Sequence, residues 1–202
     1  MIKCNVTVIG TICRSGESKT DKEGKPFFTF GLRTAIPANN DDEENKEIDI
    51  SISMDGNPEN EQDFNEGKKV KVTGILTFRK RDDIIYLNLS ASDVGFNPDE
   101  AASIKGTMSF RGTTGSKDIP ENKGKIGSYR YFDAYSSEKL DNDQYAFVWV
   151  HFVDFTGKRP QWLGPKTGFD AEGDLELSEF NEKLSINCMV SSLSYWDKKS
   201  NQ

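Results

Sequence analysis

Residues 5–37 read NVTVIGTICRSGESKTDKEGKPFFTFGLRTAIP, which is two alternating stretches separated by a charged turn. Apolar and polar residues alternate as far as Ile9 and Gly10, and they alternate again over residues 27–33, after Gly24 and Lys25. Alternation with a period of two, bounded by turn residues, is typical of half-buried β-strands. The stretch therefore predicts two successive strands joined by a turn.

The same alternation recurs along the whole chain in two series of segments. The first series is 2–14, 27–36, 47–54, 69–79 and 84–94. The second series is 104–111, 128–136, 145–155, 175–180 and 183–195. Residues 56–66 leave room for one helical turn, whereas 112–127 and 156–173 are expected to be a polar loop and an irregular segment. No amphipathic helix of ordinary length interrupts the series, which argues against α/β enzyme folds.

Three segments resemble the bacterial single-stranded DNA-binding protein family. Besides residues 5–37, they are 65–79, NEGKKVKVTGILTFR, and 86–94, YLNLSASDV, and they follow the family order. The resemblance implies an OB fold, whose open face accepts a flexible single strand. The predicted fold class is therefore all-β, with two tandem five-stranded OB-fold barrels. The predicted domains are 1–96 and 104–202, with a linker over 97–103.

Charge and cysteine content restrict the class of protein. The chain has 202 residues, a net charge of −7 and three cysteines, Cys4, Cys13 and Cys188. An odd number without CxxC spacing is a poor disulfide framework, so buried thiols are expected. The absence of a long apolar run and of a recognisable signal peptide predicts a cytoplasmic protein with no membrane partner. The acidic total still permits nucleic-acid binding, because a local basic surface can coexist with it.

Outward-facing cations on the fourth strand are candidates for phosphate contacts. Apolar residues at positions 70, 72, 76 and 78 predict the core-facing side, so Lys71 and Arg79 point outward. Arg79, Lys80 and Arg81 lie at the turn into the fifth strand, which flanks the binding face of an OB fold. The alternative is a solvated turn in which the next two aspartates balance these charges.

Two further candidates lie on the second strand. Comparison with the family suggests that residues 28, 30 and 32 form the core, which leaves Phe27 and Arg33 on the groove side. Phe27 would stack a base, and Arg33 would contact a phosphate or stack. For Phe27, packing at the end of the barrel is the alternative.

The third strand of the first half departs from the family pattern. Residues 48–54, IDISISM, lack the aromatic side chains that the family usually turns toward DNA. Either the isoleucines form the core and Asp49, Ser51 and Ser53 face the groove, or the reverse holds. Both arrangements remove stacking worth roughly 1–3 kcal/mol per base, so the first barrel is expected to bind weakly alone.

The second half carries the aromatic side chains instead. On its third strand, positions 146, 148, 150 and 152 are expected to be core, and the opposite face alternates with them. The aromatic residues expected on the outward side of the second and third strands are Tyr129, Tyr131, Tyr135, Tyr145, Phe147, Trp149 and His151. Tyr129, Tyr131, Phe147 and Trp149 are predicted to stack bases. The alternative is an interface with the first barrel or a second subunit, where Tyr and Trp are also enriched.

The segment 158–162, KRPQW, adds two cations and a tryptophan in an irregular region. Lys158 and Arg159 are candidates for gripping a nucleic-acid backbone, and Trp162 for stacking a base. The alternative for Trp162 is an anchor that pins its loop to the barrel.

No constellation in the sequence predicts catalysis. His151 is the single histidine, which excludes a two-histidine metal site, and 164–168, GPKTG, lacks the spacing of a phosphate loop. We expect no metal, cofactor or small-molecule substrate. The predicted function is sequence-tolerant binding and protection of single-stranded DNA in replication, repair or DNA transfer, by a chain that would dimerise to present four barrels. The alternative is an OB-fold module for protein interaction or assembly, without nucleic-acid binding.

Overall fold

The computed structural model describes residues 1–38, 45–124, 127–140, 144–157, 159–180 and 183–197. Within these residues, eleven strands and one short 3-10 turn, Glu61–Phe64, make up the regular structure. The chain divides into two compact units. The N-terminal unit comprises Asn5–Arg79 and Ile84–Gly106, and the C-terminal unit comprises Met1–Cys4, Lys80–Asp83 and Thr107–Gln202. The domain limits 1–96 and 104–202 remain a prediction.

The N-terminal unit is a closed ring of five strands. They are β1 (Ile2–Thr20), β2 (Pro26–Ile36), β3 (Lys46–Asp55), β4 (Lys69–Arg81) and β5 (Ile84–Phe96). Hydrogen bonds join them in the order β2-β3-β5-β4-β1, and β1 pairs with β2 to close the ring. Since β3 and β5 are parallel while β2 is antiparallel to β1 and β3, this is the OB arrangement.

The C-terminal unit repeats this arrangement with one added strand. Its strands are β6 (Ser103–Thr114), β7 (Glu121–Gly124), β8 (Gly127–Lys139), β9 (Tyr145–Asp154), β10 (Gly168–Phe180) and β11 (Lys183–Tyr195). They follow the order β6-β10-β11-β9-β8-β7, and β6 also pairs with β8. The pairing of β9 with β11 is parallel, as in the first ring. The predicted class, all-β with two tandem OB-fold barrels, is therefore confirmed.

Three segments differ from the expected strand limits. β1 continues to Thr20 rather than ending at residue 14, and its last residues pair with the start of β2. β7 lies inside the expected polar loop 112–127, and β10 begins at Gly168 rather than at residue 175. In β1 and β7 a neighbouring strand supplies backbone hydrogen-bond partners to a polar segment, so pairing determines the structure where alternation is weak. In β10 the added residues pair with β6, and Phe169 and Ala171 are buried beside acidic residues.

The two cores follow the alternation of the sequence. Phe28, Phe30 and Leu32 are fully buried, and so are Ile50 and Ile52 on the neighbouring strand. This decides between the two alternatives for the third strand: its isoleucines point inward, and the positions between them face the groove. In the C-terminal unit, four phenylalanine rings at positions 110, 132, 152 and 169 contact one another with centroids 4.9–5.8 Å apart.

The cysteines are free thiols. Cys4 and Cys188 are buried, whereas Cys13 is half-buried. Burial raises the pKa of both buried thiols to about 12, so they stay protonated near neutral pH. Across the described ranges, none of the helical structure is long and apolar enough to cross a bilayer.

Candidate nucleic-acid interface

One side of the β8–β9 hairpin exposes a continuous set of aromatic rings. The strands are antiparallel, with Tyr135 opposite Trp149 and residue 139 opposite Tyr145. Trp149 and Phe147 are each 43% exposed, although Trp149 lies between the buried residues Val148 and Val150 and Phe147 directly precedes Val148. We call this surface the β8–β9 aromatic face; its members are Tyr131, Tyr135, Tyr145, Phe147 and Trp149.

Three rings of this face, those of Tyr135, Phe147 and Trp149, contact one another at an angle rather than stacking face to face. The Tyr135 ring lies 5.3 Å from Phe147 and 5.1 Å from Trp149, both at steep angles. A Cβ atom placed on Gly115 would lie 3.6 Å from the Trp149 ring, an ordinary van der Waals distance, so Gly115 lies directly beside the indole. Edge contacts of this kind fix the orientation of the rings while leaving their faces open to a stacking partner.

His151 extends the aromatic face toward Tyr131. The imidazole Nδ1 lies 2.6 Å from Asp133 Oδ1, and its ring is parallel to that of Tyr131 within 8°, at a centroid distance of 6.1 Å. The carboxylate therefore orients the imidazole. Burial, followed by the charge of Asp133, raises the pKa of Tyr131, which keeps its hydroxyl neutral.

A buried ion pair supports the other side of the same hairpin. Arg130 and Asp154 are almost completely inaccessible, and two guanidinium nitrogens donate to Asp154 Oδ2 at 3.0 and 2.8 Å. The other carboxylate oxygen accepts hydrogen bonds from the backbone and hydroxyl of Thr156, while Arg130 also donates to the carbonyl of Gly157. The network joins the end of β9 to β8, so it fixes the register behind the aromatic face.

The loop after β9 holds its predicted residues in structural contacts. Arg159 donates from Nε to the carbonyl of Leu163 at 2.7 Å and from Nη1 to that of Ile119 at 3.0 Å. The Trp162 ring lies 6.0 Å from that of Tyr195. These contacts favour the anchoring interpretation of Trp162 and leave Arg159 less free for phosphate. Lys158 lies outside the described residues.

Tyr129 occupies a different environment from the other predicted aromatic residues. It is half-buried, and its ring lies 5.6 Å from that of Phe155, which is 41% exposed. Phe155 was not among the predicted aromatic residues, because it lies at the end of the predicted strand 145–155. Its parity with Trp149 and His151 was the signal that pointed to the same side.

The corresponding face of the N-terminal unit carries charged side chains on β2 and β3. Phe27 is half-buried at the start of β2, and Arg33 is exposed. The Arg33 guanidinium donates from Nε and Nη2 to the two carboxylate oxygens of Asp49, at 2.7 and 3.0 Å. This hydrogen-bonded pair holds the pKa of Asp49 below its usual value. Arg33 therefore binds a carboxylate, whereas the sequence predicts that it contacts a phosphate or stacks.

The predicted cations of β4 differ in how free they are. Lys71 points outward as expected, but its Nζ lies 2.9 Å from Glu100 Oε1. Arg79 and Arg81 are exposed and Lys80 is half-buried. Among the described residues, none of the three forms an ion pair, so they are the freer cations of the predicted set.

The predicted residues thus fall into separate groups rather than one cluster. Tyr131, Phe147 and Trp149 share the β8–β9 aromatic face, and the 79–81 cations lie at the β4–β5 turn. Phe27 and Arg33 lie on β2 of the N-terminal unit. Within the described residues, no group of three metal-ligating side chains comes together.

Comparison with solved structures identifies the architecture. The single-stranded DNA-binding protein of Thermus aquaticus matches over 96% of this chain and 93% of its own, with a TM-score of 0.51 and 14% sequence identity. The chain has the fold of that protein. A deletion mutant of the Thermus aquaticus protein matches over 96% and 95% with a TM-score of 0.49 and 12% identity. The Plasmodium falciparum SSB, solved with ssDNA, matches over 46% and 95% with a TM-score of 0.36 and 23% identity. No family model and no curated protein sequence matches the chain.

Proposed function

We propose that this chain is a divergent member of the bacterial single-stranded DNA-binding protein family, and that it binds single-stranded DNA without sequence preference and without catalysis. The observation that carries the proposal is the β8–β9 aromatic face. Its rings stand open on β8 and β9, which are the second and third strands of the C-terminal ring when β6 is the first and the added strand β7 is left out. These are the strands with which OB folds bind oligonucleotides.

Stacking is the main source of affinity in this proposal. Phe147 and Trp149 present rings to solvent, and every base has a π-face that such a ring can accept. Each stacked base contributes roughly 1–3 kcal/mol and does so with little dependence on sequence. Arg79, Lys80 and Arg81 would add phosphate contacts, so binding should weaken as salt rises. The strand would be one exposed during replication, repair or DNA transfer, and two chains together would present four barrels.

A protein-interaction module is the second candidate. Tyr and Trp are enriched at protein interfaces as well, and the net charge of −7 does not favour phosphate. In that case the aromatic face would meet a protein surface and ignore DNA.

A titration with labelled oligothymidine tests the proposal. Anisotropy of the label and intrinsic tryptophan fluorescence would be followed at about 50 mM and about 200 mM salt. We expect binding that is tighter at low salt and that quenches Trp149. Binding that leaves tryptophan fluorescence unchanged, or no binding at low salt, would contradict the proposal, and the second result would favour the protein-interaction alternative.

A further inference from the structure

A groove of about 430 Å³ crosses the face of the N-terminal unit that corresponds to the β8–β9 aromatic face. Arg14 and Arg33 both line it, and so does Asp49. On the opposite wall, β5 contributes Ile84 and Tyr86, which are 58% and 46% exposed. Two guanidinium groups beside an exposed phenol ring are complementary to a phosphate with an attached nucleoside. The Asp49 carboxylate beside them opposes the binding of such a ligand.

The backbone places these groups together through an irregularity in β1. Ile12 pairs with Leu32 and Arg14 pairs with Gly31, so Cys13 is an extra residue in the ladder. A Cβ on Gly31 would lie 3.0 Å from Arg14 Cβ and 3.2 Å from Cys13 Sγ, so any other residue there would crowd both side chains above β2. The bulge turns both side chains toward the groove.

Asp49 holds one of the two arginines and adds a negative charge to the groove. It accepts both hydrogen bonds of the Arg33 fork, and its carboxylate also interacts with the Cys13 thiol. Arg14, by contrast, forms no ion pair with any residue in the described part of the chain. A phosphate entering the groove would meet one free guanidinium, one occupied guanidinium and one repelling carboxylate.

We infer that Asp49 is a specificity-determining residue that masks a phosphate site formed by Arg14 and Arg33 in the N-terminal unit. The inference rests on the proposed function and deepens it. Single-stranded DNA would bind the aromatic face of the C-terminal unit, because the Arg33–Asp49 pair leaves the face of the N-terminal unit unfavourable for phosphate. Replacing the carboxylate by an amide removes the repelling charge and releases the arginine fork. Removing a negative side chain would then increase binding of single-stranded DNA through the N-terminal unit.

The experiment compares Asp49→Asn with Glu47→Gln in full-length chains that also carry Phe147→Ala and Trp149→Ala. Glu47 is a matched control, because it lies on the same strand and its Oε2 is 3.8 Å from Arg33 Nε, yet it does not line the groove. Labelled oligothymidine is titrated at low and moderate salt. We expect Asp49→Asn to bind several-fold more tightly than its parent. One added phosphate contact should increase the loss of affinity between about 50 and 200 mM salt by roughly 2.5-fold. Glu47→Gln should change neither quantity comparably.

A third chain, carrying Arg33→Ala together with Asp49→Asn, identifies the group that acts. It should lose the gain of Asp49→Asn, because the released guanidinium is the proposed phosphate contact. Equal effects of Asp49→Asn and Glu47→Gln, or a gain that survives Arg33→Ala, would overturn the inference. The proposed function fails by a different result, namely that removing Phe147 and Trp149 leaves the affinity of the otherwise unchanged chain intact. The thermal unfolding midpoint of each variant is measured as a control, and we expect it to match that of the parent chain, because the substituted side chains are exposed.

Discussion

Individual side chains decide what each barrel can offer to a ligand. Trp149 lies between two buried valines on β9, so strand parity alone turns its indole outward. Asp49 occupies an equally outward position on β3, but a carboxylate there binds the arginine fork opposite it. The two units share a topology, and the residues at these outward positions give their faces different chemistry.

Replacing Trp149 by alanine tests the stacking contribution directly. We expect a loss of roughly 1–3 kcal/mol in the free energy of binding oligothymidine, since one base loses its aromatic partner. Trp149→Phe is the matched control, because it retains a ring at the same position. Anisotropy titration provides both affinities. Equal losses for alanine and phenylalanine would show that the ring face does not carry the binding energy.

The buried Arg130–Asp154 pair should be far more sensitive to substitution than an exposed pair of the same chemistry. Asp154→Asn leaves a buried guanidinium without its counter-charge, which costs about 3–5 kcal/mol in the free energy of unfolding. The pair Arg111–Asp170 is bidentate but partly exposed, so Asp170→Asn should cost about 0–1 kcal/mol. Urea unfolding followed by tryptophan fluorescence measures both, because Trp149, Trp162 and Trp196 all belong to the C-terminal unit. A small cost for Asp154→Asn would mean that water reaches the pair when the carboxylate is lost.

Strands and their pairings account for where sequence reasoning succeeded. Alternation correctly assigned the inward apolar residues of β2, β4 and β9, because Phe28, Phe30 and Leu32, and their counterparts on the other two strands, are buried at a spacing of two. It did not foresee that Thr29 and Asp154 are buried as well. It missed β7, whose four residues are too few to show a period and are held by backbone hydrogen bonds to β8. It also missed the first part of β10, which pairs with β6 and in which Phe169 and Ala171 are buried beside acidic residues.

For the candidate site, the sequence predicted which side of the barrel each side chain faces, but not the contacts that the side chain makes there. Parity placed Phe147 and Trp149 outside the barrel, and the same rule placed Arg33 on the groove side. The rule does not predict which neighbour a charged group meets, so the Arg33–Asp49 and Lys71–Glu100 pairs were not foreseen. The first pair depends on the register of β2 against β3, and the second joins β4 to a residue beyond the end of β5, neither of which the sequence alone specified.

Close approach of β4 to β5 makes Gly74 a sensitive position. A Cβ at this residue would lie 2.1 Å from the carbonyl oxygen of Ser90, which is backbone and has little freedom to move. We expect Gly74→Ala to destabilise the N-terminal unit by about 1–3 kcal/mol, as overpacking does. Gly95, also in the N-terminal unit, is the control, because the atom nearest to its added Cβ is 4.0 Å away. Thermal unfolding followed by circular dichroism should separate the two, and similar midpoints would show that the strands can shift apart.

At the scale of the whole molecule, a net charge of −7 has to be reconciled with a polyanionic ligand. The ion pairs at Arg33 and Lys71 reduce the number of free cations, which leaves the 79–81 turn as the main predicted source of phosphate contacts. A binding mode dominated by stacking is compatible with that balance, because stacking does not require a basic surface.

The triple variant Arg79→Ala, Lys80→Ala and Arg81→Ala tests this division between stacking and charge. If each cation neutralises one phosphate, the slope of log K against log salt should fall in magnitude by up to about 2, at roughly 0.7 per contact with single strands. Quenching of Trp149 at saturation should persist, since the rings are untouched. A variant that replaces Lys22, Lys25 and Lys105 by alanine makes the same change in net charge and should leave the slope unaltered. An equal drop in both variants would indicate a general charge effect.

The contact between His151 and Asp133 has a practical consequence for following this molecule in solution. His151 is the only histidine in the chain, and it lies beside Tyr131 at the end of the aromatic face. Its ring protons should therefore give one isolated set of NMR signals, already shifted by the neighbouring phenol ring. A base arriving on this surface would displace those signals through its own ring current. The NMR signals of the His151 ring would therefore report the binding of single-stranded DNA without an attached dye.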